Sequence, residues 1–573
     1  MPEHTGAAAL IAALAAQGVE RLFGIPGVHT LLPYDLLHAH PTIRPVVTRH
    51  EGGAGFAADG YARVSGRPGV CLVVPGPGAT NLATAALVAR SDSVPLVLIT
   101  AEVPGPLQGR GAVHELDLDA FFRPLVKARV AVEGVEDGAI PRGVAAAFAL
   151  ARAEPAGPVQ LAIPYDLFGR RAELQMEEES TPAPASSPPP PPPPAPALDR
   201  ALALLREARA PLLYAGHGVV RAGAGAALVA LAEALGAPVL TSNKARGVIP
   251  EDHPLAAGIP SMAGAAALAR EADVCLALGT RFNEYTTLSW SLPLPRRLIR
   301  VDRDPAALGQ NYPAEVAIAG DAAGVLDWLL ERLPDPSVPA EGGDRPLVAA
   351  TAALRERRRA ALDAFMADQG ADGGTTGAPF HPRFVARLLR EALPPDAIVV
   401  SDGSATESWL YEPSFPVTRP GSLLVPEVQQ TMGYAVGAAL GAALGAPGRP
   451  VVAVVGDGSL TMTLGELATL AAERTPLTVI VFNDGCYNAL RVRQEAVHEG
   501  RYVGTTLGDL DFAGVARGVG LRGERVVSTE QLRARLGEAA APRGPLLLDV
   551  PITPAPLSER YAAVIEAQAA GEG

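Results

Sequence analysis

Short apolar runs recur along the whole chain, and amphipathic stretches of helix length separate them. The runs are GVCLVV, PLVLIT and VQLAIP in a first block, APLLYAG, DVCLALG and RLIRVD in a second, and AIVVSDG, PVVAVVGDG and LTVIVFND in a third. Buried strands that alternate with helices form parallel sheets covered by helices on both faces. The pattern therefore predicts an α/β fold of three consecutive doubly wound parallel-sheet domains.

Two segments separate these blocks. Residues 171–199 contain an uninterrupted proline run, Pro188–Pro194, which cannot donate backbone hydrogen bonds and is expected to form an extended strap. Residues 334–378 form a second linker, with a charged helix-like segment inside it. The predicted domains are therefore residues 1–170, 200–333 and 379–573.

Composition and charge exclude several classes of protein. Hydrophobic residues make up 48% of the 573, enough for a large core. The 48 Lys and Arg against 61 Asp and Glu leave a net charge of −13 without a basic run, so nucleic acid is not an expected partner. Three widely spaced cysteines argue against a disulfide framework and favour the cytoplasm. Polar residues soon interrupt the Ala-rich N-terminal stretch, so neither a signal peptide nor a membrane partner is expected.

A glycine-rich turn follows one buried strand of the third block. It contains Gly456, Asp457, Gly458 and Ser459 at the predicted start of a helix. Glycines let a backbone approach a ligand closely, and the free N–H groups of a helix start favour a phosphate. A tight turn with a capping Asp is the alternative interpretation.

A second oxygen-rich turn ends the next strand, at Asp484, 27 residues after Asp457. This spacing fits strand, helix, strand and brings the two turns together at one edge of the sheet. The two side chains, the backbone carbonyl of Cys486 and phosphate oxygens would form the octahedral oxygen shell that Mg²⁺ requires. Asn483 remains the alternative ligand. The pattern predicts a diphosphate held through Mg²⁺.

The two turns together resemble the motif of the thiamine-diphosphate enzymes, in which GDG is followed after about 25 to 30 residues by a pair usually read as Asn-Asn. Asn483-Asp484 stands in that place here, which keeps an oxygen donor and adds a negative charge. The resemblance covers essentially the whole chain and follows the branch of acetolactate synthases, benzaldehyde lyase and 2-oxo acid decarboxylases. It implies pyrimidine-binding, central and diphosphate-binding domains, and a homodimer or homotetramer with the cofactor at the subunit interface.

The segment VVTRHEGGAGFAADGYAR resembles the catalytic-glutamate segment of this family. The resemblance implies that Glu51 hydrogen-bonds N1′ of the cofactor's aminopyrimidine and promotes its imino tautomer. The exocyclic nitrogen then removes the C2 proton of the thiazolium. The alternative is that Glu51 only stabilises the first turn of a helix.

Further cofactor contacts follow from the same resemblance. Met432 lies where the family holds a bulky apolar wedge under the cofactor, although a methionine that only fills the core is the alternative. The other cofactor-binding residues implied are Gly27, Pro77, Asn81, Ser404, Thr406, Thr431, Tyr487 and Asn488.

The reaction implied is decarboxylation of a 2-oxo acid, followed by aldehyde release or by carboligation to an aldehyde or a second 2-oxo acid. Acetolactate synthases have Gln and Trp at the positions of His114 and Glu495. The N-terminal half, including the His114-Glu115 pair, instead resembles guanidino-oxopentanoate decarboxylases. A flavin-dependent oxidase of the pyruvate oxidase kind is a further alternative. A non-catalytic subunit is disfavoured, because Glu51, Asp457 and Asp484 are all present.

Proton transfer and substrate binding have several candidates. His114 is the predicted second catalytic residue, with His29 and His50 as alternatives, and each could instead be a structural hydrogen-bonded histidine. Arg110 could bind a substrate carboxylate and Glu495 a cationic substrate tail, or both could be solvated.

FAD is possible but not favoured as a second cofactor. The central block keeps only part of the flavin-site pattern of acetolactate synthases, in GTRFNEYT and VDRDPAALGQNYPAEVAIAGDA. It also lacks the G-x-G-x-x-G fingerprint of dinucleotide sites.

Overall fold

The computed structural model describes residues 5–171, 195–333, 345–369 and 379–554, together with Ala562. It contains three six-stranded sheets, each with parallel strand pairs throughout. Helices cover the sheets, so the predicted α/β fold with three doubly wound parallel-sheet domains is confirmed. The predicted proline strap lies outside the described residues.

The first sheet has the strand order β2-β1-β3-β4-β6-β5. Its strands are β1 (Arg21–Gly24), β2 (Arg44–Val47), β3 (Gly69–Val73), β4 (Leu96–Glu102), β5 (Ala128–Ala131) and β6 (Pro158–Pro164). The helices of this domain are α1 (Gly6–Ala16), α2 (Leu31–Leu36), α3 (Glu51–Ser65), α4 (Pro77–Thr80), α5 (Ala83–Asp92), α6 (Leu118–Phe122) and α7 (Ala139–Arg152).

The central sheet has the order β12-β11-β10-β7-β8-β9, the arrangement of a dinucleotide-binding fold. Its strands are β7 (Pro211–Ala215), β8 (Val239–Thr241), β9 (Ala256–Gly258), β10 (Val274–Leu278), β11 (Leu298–Asp302) and β12 (Val316–Ala319). The helices are α8 (Ala195–Glu207), α9 (His217–Arg221), α10 (Gly225–Leu235), α11 (Ala265–Glu271) and α12 (Ala322–Leu330), and α13 (Pro346–Gln369) follows within the segment predicted as the second linker. The domain boundaries stay predictions.

The third sheet repeats the topology of the first, with the order β14-β13-β15-β16-β18-β17. Its strands are β13 (Ile398–Ser401), β14 (Leu423–Leu424), β15 (Val451–Gly456), β16 (Thr478–Asn483), β17 (Arg522–Arg525) and β18 (Leu546–Pro551). The helices are α14 (Pro382–Ala392), α15 (Ala405–Leu410), α16 (Ala435–Gly445), α17 (Asp457–Thr461), α18 (Gly465–Glu473), α19 (Asn488–Val497), α20 (Phe512–Gly518) and α21 (Thr529–Ala539).

Helices α3 and α16 join the first and third domains through small residues. A Cβ atom added at Gly441 would lie 1.8 Å from the carbonyl oxygen of Ala57, and one at Gly60 would lie 2.0 Å from that of Ala438. The glycines therefore allow the two backbones to touch, and buried apolar residues of both helices belong to one core.

A buried cluster of charges joins the first domain to the central one. Asp92 accepts hydrogen bonds from Arg63 at 2.8 Å and from Lys244 at 3.0 Å. Burial alone would raise the pKa of Asp92, but Lys244 and Arg63 outweigh it and lower that pKa to about 2. Arg63 also pairs with Asp59 at 2.6 Å, and the Tyr434 hydroxyl donates to Asp59 at 2.6 Å.

Two further expectations concern the chain as a whole. Cys71, Cys275 and Cys486 are buried free thiols, as the absence of a disulfide pattern predicted. Across the described ranges, no helix is both long enough and apolar enough to cross a membrane.

Candidate cofactor and active site

A cavity of about 350 Å³ lies at the carboxyl ends of β13, β15 and β16. Ligands of open parallel sheets bind at this edge. The predicted site residues that line it are Ser404, Thr406, Met432, Gly456, Asp457, Gly458, Ser459, Asp484, Cys486, Tyr487 and Asn488. Thr431 does not line the cavity, but its carbonyl accepts a hydrogen bond from the Gly403 N–H at 3.1 Å.

Backbone N–H groups of both turns hold the Asp457 carboxylate. Gly458 donates to one of its oxygens and Gly485 to the other, each at 2.7 Å. Burial raises the pKa of Asp457 to about 6. Burial, and then the negative charge of Asp457, raises the pKa of Asp484 to about 7. A divalent cation between the two carboxylates would offset both effects, so these residues fit Mg²⁺.

The side chains of Asn483 and Asp484, at the end of β16, lie in different surroundings. The side-chain amide of Asn483 donates to Asp549 at 2.9 Å and to the carbonyl of Leu510 at 3.3 Å, and Asn483 does not line the cavity. Asp484 does line it. Between the two candidate ligands, this geometry favours Asp484.

The third expected ligand is a backbone oxygen. The carbonyl of Cys486 accepts a hydrogen bond from the Asn488 N–H at 3.0 Å, and the second lone pair of the carbonyl oxygen remains available for a cation. Among the described residues, no group of three or more His, Cys, Asp or Glu side chains could hold a metal. A cation at Asp457 and Asp484 would therefore depend on this carbonyl and on the diphosphate for its remaining oxygens.

Close contacts shape the floor of the cavity. A Cβ atom at Gly458 would lie 2.4 Å from the ring of Tyr487, and one at Gly403 would lie 2.2 Å from the backbone of Gln430. The Ser404 hydroxyl caps α15 by accepting from the Thr406 N–H at 3.2 Å. Only glycine fits at these two close approaches, which supports the predicted glycine-lined diphosphate cradle.

Nine cavity residues were missed by reasoning from the sequence: Tyr285, Gly403, Ala405, Trp409, Gln430, Phe482, Ala489, Leu490 and Ile552. Trp409 follows Thr406 by three residues on α15, and this helical spacing was a usable signal. Tyr285 belongs to the central domain and lies in the GTRFNEYT segment, which resemblance alone linked to a flavin. Because Tyr285 is far along the chain from the other cavity residues, no local pattern connected it with them.

The predicted catalytic glutamate is the first residue of α3, after β2. The Asn81 side-chain amide donates to Glu51 at 2.8 Å, and Pro77 begins the short helix α4 that carries Asn81 at its end. His50 caps α3, since its Nδ1 atom accepts from the Gly52 N–H at 3.0 Å. That cap is the structural role that was the alternative for His50. Gly27 lies in the turn after β1, where its N–H donates to Thr30 at 3.1 Å.

A residue of the third domain holds the segment before Glu51. The buried Glu466 carboxylate accepts from the N–H groups of Arg49 at 3.2 Å and His50 at 3.0 Å, and from the Thr469 hydroxyl at 2.7 Å. Sequence reasoning missed Glu466, because more than 400 positions separate it from its backbone partners and no local pattern connects them.

His114 and His29 lie side by side in the first domain. Their ring centroids are 5.1 Å apart, and the ring of Tyr165 lies 4.6 Å from His29. The Nδ1 atoms of both histidines are buried without a hydrogen-bond partner in the described part of the chain. Burial, and then the neighbouring His114, lower the pKa of His29. His114 has a φ of 66°, a conformation that is uncommon outside glycine.

The loop before His114 is closed by Glu115, whose carboxylate accepts from the N–H groups of Gly109 and Ala112. Arg110 lies in this loop and is exposed. Glu495, on α19, accepts a hydrogen bond from the hydroxyl of Tyr502. Neither Arg110 nor Glu495, the two predicted substrate-binding residues, lines the cavity.

The two halves of the predicted site do not meet within one chain. Gly27, Glu51, Pro77, Asn81 and His114 all belong to the first domain, and none of them lines the cavity. Exposed apolar side chains flank both halves: Val28 (89% exposed) and Val113 (71%) beside the first, and Val503 (77%) in the third domain. Such apolar surface is typical of a protein interface.

A second cavity, of about 580 Å³, lies where the three domains meet. The segments with partial resemblance to a flavin site line it, through Arg281, Asn283, Asp302 and Asp304 among others. Lys244 and Asp92 of the buried charge cluster also line it. FAD binding remains possible but not favoured, as predicted from the sequence, and no observation tests it.

Comparison with known protein families covers all three domains. Residues 4–121 match the family described as the thiamine pyrophosphate enzyme N-terminal TPP binding domain. Residues 198–329 match the central domain of the same enzymes, and residues 402–550 match their C-terminal TPP binding domain.

Full-length relatives agree with these matches. The acetolactate synthase large subunit of Corynebacterium glutamicum is 36% identical over 94% of this chain and 85% of its own length. A probable acetolactate synthase large subunit of Methanocaldococcus jannaschii is 33% identical over 96% and 92%. A probable 2-ketoarginine decarboxylase of Pseudomonas aeruginosa is 37% identical over 85% and 83%. The chain belongs to the thiamine-diphosphate-dependent enzymes, in the branch of acetolactate synthases and 2-oxo acid decarboxylases.

Proposed function

We propose that this enzyme catalyses the Mg²⁺-dependent decarboxylation of a 2-oxo acid, with release of the aldehyde or its carboligation to a second carbonyl compound. The observation that carries the proposal is the pair of carboxylates, Asp457 and Asp484, beside glycine turns in one cavity. Two buried acids of this kind need a cation, and a cation there needs the oxygens of a diphosphate.

The third domain would bind the cofactor. Asp457, Asp484 and the carbonyl of Cys486 would hold Mg²⁺, while backbone N–H groups and the hydroxyls of Ser404 and Ser459 would face the diphosphate. Met432 would support the cofactor from below. Thiamine diphosphate, when bound, supplies a nucleophilic carbon and accepts the electron pair that remains after CO₂ leaves.

Glu51 would hold the proton that activates the cofactor. Because the Asn81 amide donates to one carboxylate oxygen, the carboxyl group is fixed in orientation and its other oxygen is available for a ring nitrogen. Glu466 keeps the preceding backbone in place. Asn81 and Glu466 are therefore positioning residues for Glu51.

We further propose that two copies of the chain complete each site. The cavity of one copy would receive Glu51 from the first domain of the other, and the exposed apolar side chains around Val28 and Val113 would be covered in the contact. A homodimer or a homotetramer satisfies this requirement. The three free thiols fit the reducing cytoplasm as the place of action.

A specific observation favours aldehyde release over carboligation. His29 and His114 place two imidazoles together, each with a buried Nδ1 atom that has no partner among the described residues. A proton donor beside the reacting carbon would favour protonation, and protonation leads to the free aldehyde. Decarboxylation of a guanidino-oxopentanoate is therefore the second candidate, as in the Pseudomonas relative.

Proton NMR of the protein with thiamine diphosphate, Mg²⁺ and pyruvate tests the proposal. Acetolactate or acetoin would assign the enzyme to the carboligases, and acetaldehyde would assign it to the decarboxylases. If pyruvate is not consumed, 5-guanidino-2-oxopentanoate is the next substrate. Acetolactate or acetoin as the product would contradict the histidine argument, and failure to consume either substrate would direct the search to other 2-oxo acids.

Two alternatives have their own measurements. Flavin absorbance in the purified protein would favour an oxidase or a bound FAD, and a colourless active preparation would exclude both. Complete absence of turnover with thiamine diphosphate bound would favour a non-catalytic subunit.

A further inference from the structure

A third cavity, of about 250 Å³, lies between the central domain, α13 and the third domain, away from the cofactor cavity. We call it the wedge site. It is lined by Ala263, Gly264, Leu354, Arg357, Arg358, Ala361, Leu362, Arg383, Glu412, Pro413 and Ser414.

One face of α13 forms a wall of the wedge site. The lining positions on this helix are 354, 357, 358, 361 and 362, which is the spacing of neighbours on a single helical face. Arg355 donates to the carbonyl of Glu251 at 2.8 Å, and Arg358 donates to those of Ala257 at 2.8 Å and Ala263 at 3.0 Å. The central domain therefore fixes this wall in place.

The lining carries a net positive charge. Arg357, Arg358 and Arg383 face a single acid, Glu412, which pairs with Arg383 at 2.7 Å. Arg357 has no hydrogen-bond or ion-pair partner among the described residues. Three cations against one anion leave two positive charges at the cavity, so an anionic ligand fits it.

A buried polar atom also lines the wedge site. Ser414 is 1% exposed, and its hydroxyl has no hydrogen-bond partner within the described ranges. Buried hydroxyls are normally hydrogen-bonded, because an unpaired one loses its interaction with water. A ligand oxygen in the cavity would supply that partner.

The remaining lining is apolar. Leu354, Leu362 and Pro413 supply most of it, beside Ala263 and Ala361. An inorganic anion would leave this surface uncovered, whereas a short aliphatic chain would bury it. The cavity is smaller than a typical site for a drug-sized ligand, which limits the ligand to a few carbon atoms.

We propose that the wedge site binds a small carboxylate with a short aliphatic tail. The carboxylate pairs with Arg357 and accepts a hydrogen bond from Ser414, and the tail packs on Leu354 and Leu362. This assignment does not depend on the proposed reaction.

Binding of acetate, butyrate and inorganic phosphate to the full-length protein tests the assignment. Isothermal titration at constant ionic strength, with thiamine diphosphate and Mg²⁺ present, should give saturable butyrate binding that is tighter than acetate or phosphate binding. Arg357→Gln should weaken butyrate binding about tenfold or more, since it removes a charge-assisted contact. Ser414→Ala should weaken it less.

Arg359→Gln is the matched control. Arg359 is exposed on the same helix, pairs with Glu356 and does not line the wedge site, so this variant should bind butyrate as the unmodified protein does. Equal loss in both variants, no saturable butyrate binding, or equal affinity for butyrate and phosphate would each overturn the assignment.

Residues 404–414 connect the wedge site to the cofactor cavity. Ser404, Thr406 and Trp409 line the cofactor cavity, and Glu412–Ser414 line the wedge site only a few residues later. Butyrate should therefore change the dissociation constant of thiamine diphosphate, and Arg357→Gln should abolish the change. This second arm rests on the proposed function. If thiamine diphosphate does not bind, the proposed function fails while the butyrate result still stands.

Discussion

The first and third domains have the same strand order, yet their corresponding turns carry different chemistry. After the third strand of the first sheet, the chain reads Gly76-Pro77-Gly78, without a charged side chain. At the end of the corresponding strand of the third sheet it reads Gly456-Asp457-Gly458, with a buried carboxylate. One topology therefore supplies the same edge twice, and the residues at the strand ends decide what each edge can bind.

The two edges also differ in how they are enclosed. The third-domain residues line a cavity within one chain, whereas Glu51 and Asn81 lie outside it, in a domain that exposes Val28 and Val113. The third domain also fixes the first through Glu466. The comparison supports the proposal that one edge binds the cofactor and the other acts on it from a second copy.

The largest effect is expected on turnover, from a substitution at the strand ends of the first domain. Glu51→Gln keeps the size of the side chain and its contact with Asn81 but removes the carboxylate, so turnover should fall by about 10² to 10⁴-fold. Steady-state rates measure this, and titration with thiamine diphosphate should show that the variant still binds it. Glu20→Gln, an exposed residue of the same domain, is the control. Unchanged turnover in Glu51→Gln would disprove the assigned role.

The buried charge cluster tests how much the contact between the first and central domains stabilises the chain. Asp92→Asn leaves Arg63 and Lys244 without their buried anion and should lower the free energy of unfolding by about 3 to 5 kcal/mol at pH 7. Denaturant titration measures it. Asp119→Asn, which breaks an exposed pair with Arg123, should lower the free energy of unfolding far less.

The same variant has a predicted pH dependence. The folded-state pKa of Asp92, about 2, lies below the unfolded value of about 3.9. Its contribution is therefore complete above about pH 4 and is lost as the pH falls through 2. The difference in stability between the unmodified protein and Asp92→Asn should shrink over that interval, and a constant difference would contradict the shifted pKa.

A smaller loss of stability is expected when the contact between Glu466 of the third domain and the backbone of the first domain is removed. Glu466→Ala leaves the N–H groups of Arg49 and His50 without their acceptor and should cost about 1 to 3 kcal/mol of stability. Turnover should also fall, because the backbone before Glu51 is released. Glu473 lies on the same helix as Glu466 and pairs with Arg44 at the surface, and Glu473→Ala should leave turnover unchanged. Equal turnover in both variants would show that Glu466 does not position Glu51.

The smallest effect is expected on the affinity for the metal, which should depend on the third-domain edge and not on the first-domain edge. Because all the proposed protein ligands of the cation lie in the third domain, Mn²⁺ binding in the presence of thiamine diphosphate should depend on that domain and not on Glu51. Asp484→Asn should weaken that binding about tenfold, since it removes one charge from the ligand set. Electron paramagnetic resonance of free Mn²⁺ measures the affinity. Glu51→Gln and the exposed control Asp509→Asn should leave it unchanged, and a loss in Glu51→Gln would show that the two edges are not separate.

Much of the fold could be predicted from local pattern. Nine buried runs appear as strands β3, β4, β6, β7, β10, β11, β13, β15 and β16, because an apolar run between helix-length stretches can be buried only inside a covered sheet. The 27-residue spacing likewise placed Asp457 beside the turn at Gly485, since strand, helix and strand return the chain to the same edge. The choice between Asn483 and Asp484 could not be made, because it depends on the distant Asp549.

The sequence by itself determined the parallel sheets, the glycine turns and the candidate residues at the strand ends, because these depend on neighbours within about 30 positions. The tertiary structure alone decided that Glu466 holds the backbone before Glu51, that Tyr285 reaches the cofactor cavity, and that His29 lies against His114. Those contacts join segments that are far apart along the chain, and their partners are selected by the packing of whole domains, for which no local pattern exists.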